Sequence, residues 1–119
     1  MREDEQSEHF KTTMEELNKL KLTSFTNLCV CKFKKKEYQS IIAITEQIID
    51  MAPNHPKALF FRGKSQYLVE EFDNAVETLS KLCDLEPDNE DFKKELDTAK
   101  KLKAQELKNQ KKLYSKMFM

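Results

Sequence analysis

Ile48-Ile49-Asp50-Met51-Ala52-Pro53-Asn54 and Leu82-Cys83-Asp84-Leu85-Glu86-Pro87-Asp88 follow one pattern twice, and their prolines stand 34 residues apart. Two apolar residues, an acid, another apolar residue and a closing Pro with Asn or Asp read as a helix end followed by a break. A period of 34 is that of a helix-turn-helix repeat, in which a large residue, a Leu-Gly pair, an aromatic, an Ala and a final Pro fall at fixed offsets. Counted from Pro56, the second copy has Leu59 at the large position, Gly63 where two helices approach, Phe72 at the turn, Ala75 opposite Gly63 and Pro87 as terminator. Counted from Leu22, the first copy has Phe25, Leu28, small Cys29, Tyr38 at the turn, Ile41, Ile48 and Pro53.

Within each copy the apolar residues recur every three or four positions: Phe25, Leu28, Cys29 and Phe33, then Ile41, Ile44, Ile48 and Met51. That spacing predicts two antiparallel helices per copy. The charged stretches Lys34–Glu37 and Glu70–Glu71 are the expected turns, and Pro53 and Pro56 bracket the break between copies. Thr13 with Glu16 fits a capping box for the first helix, and a last helix is expected over about 91–116, with Phe92, Leu96, Ala99 and Leu102 on one face. The expected organisation is therefore all-α with five helices: a polar acidic tail over 1–12, then one domain over 13–119. That domain holds repeat one (22–55), repeat two (56–89) and the C-terminal helix. Two repeats are fewer than the three usually needed to bury a continuous core. The last helix is expected to cap one end, and the other end becomes a candidate homodimer face.

Composition agrees and narrows the function. One Gly and three Pro among 119 residues leave too few turns for a many-stranded sheet. Charges balance at 21 basic and 21 acidic residues, which argues against a nucleic-acid binder. The balance is local: residues 1–16 are acidic, whereas 100–119 carry seven lysines against Glu106. Three cysteines in apolar-periodic segments read as reduced, buried thiols of a cytosolic or nuclear protein, and a cytoplasmic location is expected. Cys29 and Cys31 lack the further Cys or His ligands of a tetrahedral zinc site, so neither metal nor cofactor is expected. No apolar run reaches the roughly 20 residues of a membrane span, and the acidic N-terminus does not fit a secretory signal. His9 in the tail and His55 between two prolines have no nucleophile that periodicity would bring near, and both read as exposed. A non-catalytic role follows.

At this register the chain resembles the tetratricopeptide domain of the large FKBP-type and cyclophilin-type immunophilin co-chaperones, and that of the aryl-hydrocarbon-receptor-interacting group. The likeness rests on Thr26-Asn27-Leu28-Cys29-Val30-Cys31, Lys57-Ala58-Leu59-Phe60-Phe61-Arg62-Gly63 and Lys111-Lys112-Leu113-Tyr114-Ser115-Lys116-Met117-Phe118. It implies the second repeat, third repeat and terminal helix of such a domain, without the first repeat or an isomerase domain. Those domains clamp the carboxylates of a Glu-Glu-Val-Asp tail of the ninety-kilodalton heat-shock protein. By position Asn27 matches the groove asparagine and Lys57 the lysine that begins the last repeat. Where the clamp uses Arg, this chain has Phe61, with Arg62 one step, about 100°, around the helix. Two of five clamp groups remain, Arg62 is a third candidate, and Phe61 is a candidate apolar groove residue. Lys111, Lys112, Tyr114, Met117 and Phe118 match the family's terminal-helix motif for chaperone binding.

The expected function is thus a scaffold that binds a chaperone tail or a client protein. The basic helix from Lys100, with Leu102, Leu107, Leu113 and Phe118 as anchors, offers a second reading, recognition of calmodulin or another acidic partner. A prolyl isomerase is implied by family association alone, since no stretch has the strand alternation of a β-rich catalytic domain.

Overall fold

The computed structural model describes residues 3–118, with side chains from Ser7 onward, as five helices without a strand among the described residues. They are α1 (Glu3–Lys34), α2 (Tyr38–Met51), α3 (Pro56–Leu68), α4 (Phe72–Leu85) and α5 (Glu90–Met117). Each helix packs on the next, and α3 also touches both α1 and α5, so α1, α3 and α5 share one face of the molecule and α2 and α4 the other. The array measures 81 × 29 × 25 Å.

Two of the turns are built identically, and their chemistry explains why the helices stop there. After α1, Lys36 takes a left-handed φ of 61°, while its N–H bonds the Phe33 carbonyl and that of Glu37 bonds the Lys32 carbonyl. After α3, Glu70 takes φ 68°, with its N–H on Tyr67 and that of Glu71 on Gln66. This paired closure satisfies carbonyls that would otherwise end the helix unbonded, and offsets the left-handed conformation of a non-glycine residue. The other breaks follow the prolines. His55 precedes Pro56 and accepts the Ala58 N–H on Nδ1 at 3.2 Å; Asn89 accepts the Phe92 N–H on Oδ1 at 3.2 Å. His55 is thus a half-buried helix cap, not the exposed loop residue expected.

Two apolar clusters follow from the helical spacing. Cys29, Ile41, Ile48 and Ala58 join Leu22, Phe25, Phe33, Tyr38, Ile44 and Phe61 between α1, α2 and α3. Leu59, Ala75, Leu79, Leu82 and Ala99 join Phe60, Tyr67, Phe92 and Leu96 between α3, α4 and α5. The last helix therefore covers the second pair through Phe92, Leu96 and Ala99, while Leu102, expected on the same face, is exposed. Gly63 does lie where helices approach, but its neighbour is Leu79, one turn beyond Ala75: a Cβ on Gly63 would sit 2.5 Å from Leu79 Cγ.

Three further expectations are corrected. No capping box forms at Thr13, because α1 already runs from Glu3 and the Thr13 hydroxyl donates to the His9 carbonyl at 2.9 Å. With no Gly or Pro before Pro53, nothing stops the helix from propagating through residues expected as a tail. His9 accordingly sits on α1; Met1 and Arg2 lie outside the described residues. The last helix extends one residue beyond the expected range at each end. Of the cysteines expected to be buried, Cys29 is, Cys83 is half-buried and Cys31 is exposed. Burial pushes the Cys29 thiol above its ordinary range, as it does for Cys83, where the Asp84 carboxylate adds to the effect.

Candidate functional site

On α3, residues 57, 61 and 64 fall on one side at a spacing of four and three, with Phe60 beside them. This side faces the groove shared with α1 and α5. Asn27, from α1, and Lys57, from α3, line a common cavity of about 230 Å³ with Leu22, Thr23, Thr26 and His55. The structure therefore brings together two of the three residues expected to hold a carboxylate. Thr26 is committed to its own helix, donating to the Leu22 carbonyl at 2.7 Å. Lys57 has no ion-pair partner among the described residues.

Lys57 also borders a second cavity, of about 320 Å³, whose walls are Pro56, Phe60 and Phe92 and whose rim carries Glu86 and Asp91. Aromatic rings connect the groove from end to end. Phe33 meets Tyr38 at a centroid distance of 5.4 Å and Phe61 at 5.9 Å; Phe60 meets Phe61 and Phe92, each at 5.7 Å. Such tilted and edge-on pairs are favourable beyond the area they bury. Phe61, expected as an apolar groove residue, is half-buried within this chain of rings, packed against the cluster of Cys29, Ile41, Ile48 and Ala58, and is not among the residues lining either cavity.

A further cation lies one turn along α3. Lys64 Nζ sits 5.2 Å from the Phe33 centroid and 5.3 Å from that of Phe60, and 3.6 Å from Glu95 Oε1 on α5. The other oxygen of Glu95 accepts the Tyr67 hydroxyl at 2.6 Å. Burial, then the hydrogen bond to the Glu95 carboxylate and its charge, push the Tyr67 phenol well above its ordinary value. Lys64 is thus held by a carboxylate and two rings, and its charge is compensated within the protein.

Arg62 is not part of this site. Its Nη1 donates to the Ile42 carbonyl at 2.9 Å and approaches Thr45 Oγ1 at 3.4 Å. It lines a different cavity, about 450 Å³, between α2 and α4 with Gln66, Asn74, Thr78 and Lys81. The single step of about 100° around the helix turns it away from the groove and toward the Ile42 carbonyl of α2, which also accepts the Thr45 hydroxyl. The terminal motif is also separate. Lys111, Lys112, Tyr114, Met117 and Phe118 are all exposed at the end of α5, with the Tyr114 and Phe118 rings 4.6 Å apart.

Thr23, Lys64, Glu95 and Tyr67 were missed by the sequence reading, although the period held the signal. Subtracting 34 maps Lys57, Phe61 and Lys64 onto Thr23, Asn27 and Val30, and adding 34 maps them onto Asp91, Glu95 and Thr98. The three rows are what one side of a stack of equivalent helices presents.

No family model matches the chain. It is 30% identical over 105 residues to peptidyl-prolyl cis-trans isomerase FKBP4 of Mus musculus, a match covering 88% of this chain and 23% of that protein. It is 31% identical over 107 residues to FK506-binding protein 59 of Drosophila melanogaster, covering 89% of this chain and 24% of that protein. The bovine FKBP4 protein matches at 31% over 104 residues, 87% and 23% of the two chains. The chain thus spans about a quarter of the length of these relatives, which are homologous to it over that part.

Proposed function

We propose that this chain is a non-catalytic protein–protein interaction scaffold of the tetratricopeptide type, acting in the cytoplasm as a co-chaperone-like adaptor that holds the C-terminal end of a partner polypeptide. The observation that carries the reading is the convergence of Lys57 and Asn27 from two helix pairs on one cavity. An ammonium without an internal partner and an exposed amide beside it form a receptor for one carboxylate, through charge-assisted hydrogen bonds. The resemblance to immunophilin co-chaperones and the homology to FK506-binding proteins support a chaperone tail as the first terminus to try. Prolyl isomerisation is the activity in the name of the FKBP4 relatives, of which this chain spans about a quarter, and the present reading does not extend it to this chain.

The test is calorimetric titration with two acetylated peptides, Met-Glu-Glu-Val-Asp and Met-Gln-Gln-Val-Leu, each with a free or an amidated C-terminus. Binding in the micromolar range by at least one free-ended peptide, lost on amidation and in Lys57→Ala, is the expected result. Absence of heat from both at millimolar concentration overturns the reading and leaves the exposed basic end of α5 as the surface to pursue.

A further inference from the structure

We infer that the groove selects a terminus with one carboxylate and an apolar last side chain, and discriminates against acidic side chains beside it. The inference rests on the terminus-binding reading above and names the ligand class for the same groove.

A site for two neighbouring carboxylates needs at least two cations without internal partners. α3 carries three cations: Lys64 faces Glu95 and two rings, and Arg62 is bonded to the Ile42 carbonyl on the far side. Of these three, Lys57 alone has no internal partner among the described residues. Beside it the wall of the second cavity carries two carboxylates, Glu86 at the end of α4 and Asp91 at the start of α5, neither in an ion pair among the described residues. A second carboxylate on the ligand would meet that wall without a donor, and like charges in a partly dehydrated groove repel.

The same surfaces welcome an apolar group. Pro56, Phe60 and Phe92 wall a cavity that shares Lys57 with the carboxylate site, so a side chain next to a carboxylate on Lys57 has these rings beside it. Phe61 adds a further ring, not a cation, against Phe60. Burying a Leu-sized side chain there removes apolar surface on both partners from water. The site is therefore complementary to a terminus such as Val-Leu with a free carboxylate, and less so to Val-Asp preceded by Glu.

The two peptides above decide it. Met-Gln-Gln-Val-Leu has the length of Met-Glu-Glu-Val-Asp and only the terminal carboxylate. The wild-type protein is expected to bind free-ended Met-Gln-Gln-Val-Leu at least tenfold more tightly, and amidation should remove tenfold or more of that affinity. Asp91→Asn should narrow the preference several-fold by removing a carboxylate from the cavity wall. Phe61→Arg, if circular dichroism finds it folded, should reverse it. Preference of the wild type for Met-Glu-Glu-Val-Asp overturns the selectivity and leaves terminus binding standing. Equal binding of free and amidated Met-Gln-Gln-Val-Leu overturns the role of the carboxylate, and no binding of either peptide overturns both readings. The wild-type comparison stands alone if Phe61→Arg fails to fold.

Discussion

The backbone of the α1–α2 pair recurs almost angle for angle in α3–α4. Glu37 and Glu71, 34 residues apart, have φ, ψ of −91°, 66° and −89°, 67°; His55 and Asn89 have −78°, 107° and −82°, 106°. The side chains between the helices do not recur. Where the second pair has Gly63 and Leu79, the first has Cys29 and Thr45, a larger residue on one helix and a smaller one on the other. All four are buried. Turns are thus held by backbone bonding, which many side chains tolerate, whereas interiors keep their volume by trading it across the pair.

Breaking the interior of the second pair should have the largest effect. Leu79→Ala removes a fully buried side chain and leaves a cavity, and should cost about 3–4 kcal/mol in chemical denaturation. Thr45→Ala in the first pair should cost about 1 kcal/mol, because less volume is lost along with a bond to the Ile42 carbonyl. Gly63→Cys, which imports the first pair's residue, should destabilise by about 2 kcal/mol through its contact with Leu79 Cγ. Combining Leu79→Thr with Gly63→Cys should remove most of the cost of the glycine substitution. Strict additivity in that double-mutant cycle would refute the volume exchange.

The caps offer a finer comparison. Asn is a favoured N-cap, and His supplies only a ring nitrogen to do the same task. Asn89→Ala should therefore cost about 1 kcal/mol, with His55→Asn stabilising by a few tenths of a kcal/mol. A destabilising His55→Asn would mean that the imidazole packs in a way its hydrogen bond does not express.

The helices were legible because their signals are local. Period, proline breaks and apolar spacing placed five helices, and the family resemblance singled out Asn27 and Lys57, which stand one helical turn apart in the repeat register. The errors came where a decision depends on surroundings. No residue between Glu3 and Thr13 forbids a helix, so the start of α1 could not be read from Thr13 and Glu16 alone. The side taken by Arg62 was legible in its 100° offset from Phe61, but the carbonyl of Ile42 that holds it belongs to another helix. Likewise nothing local to Lys64 announces its role, because its partner Glu95 comes from α5.

Tyr67 sharpens the comparison by its smallest difference, since the equivalent residue in the first pair is Phe33. Tyr67→Phe should cost about 1–2 kcal/mol at neutral pH, the value of a partly buried hydrogen bond to a carboxylate. The sign with pH follows from the raised phenol value in the folded protein. As pH rises past about 10, the ordinary phenol value, the unfolded chain gives up this proton first, so the folded state binds more protons and loses stability. The contribution is complete below that pH and declines above it. Measured by urea unfolding between pH 8 and 11, the gap between wild type and Tyr67→Phe should close as pH rises, while both retain their other alkaline titrations. A gap that stays constant across that range would mean the hydroxyl stabilises nothing through Glu95, and that the second pair differs from the first at this position by packing alone.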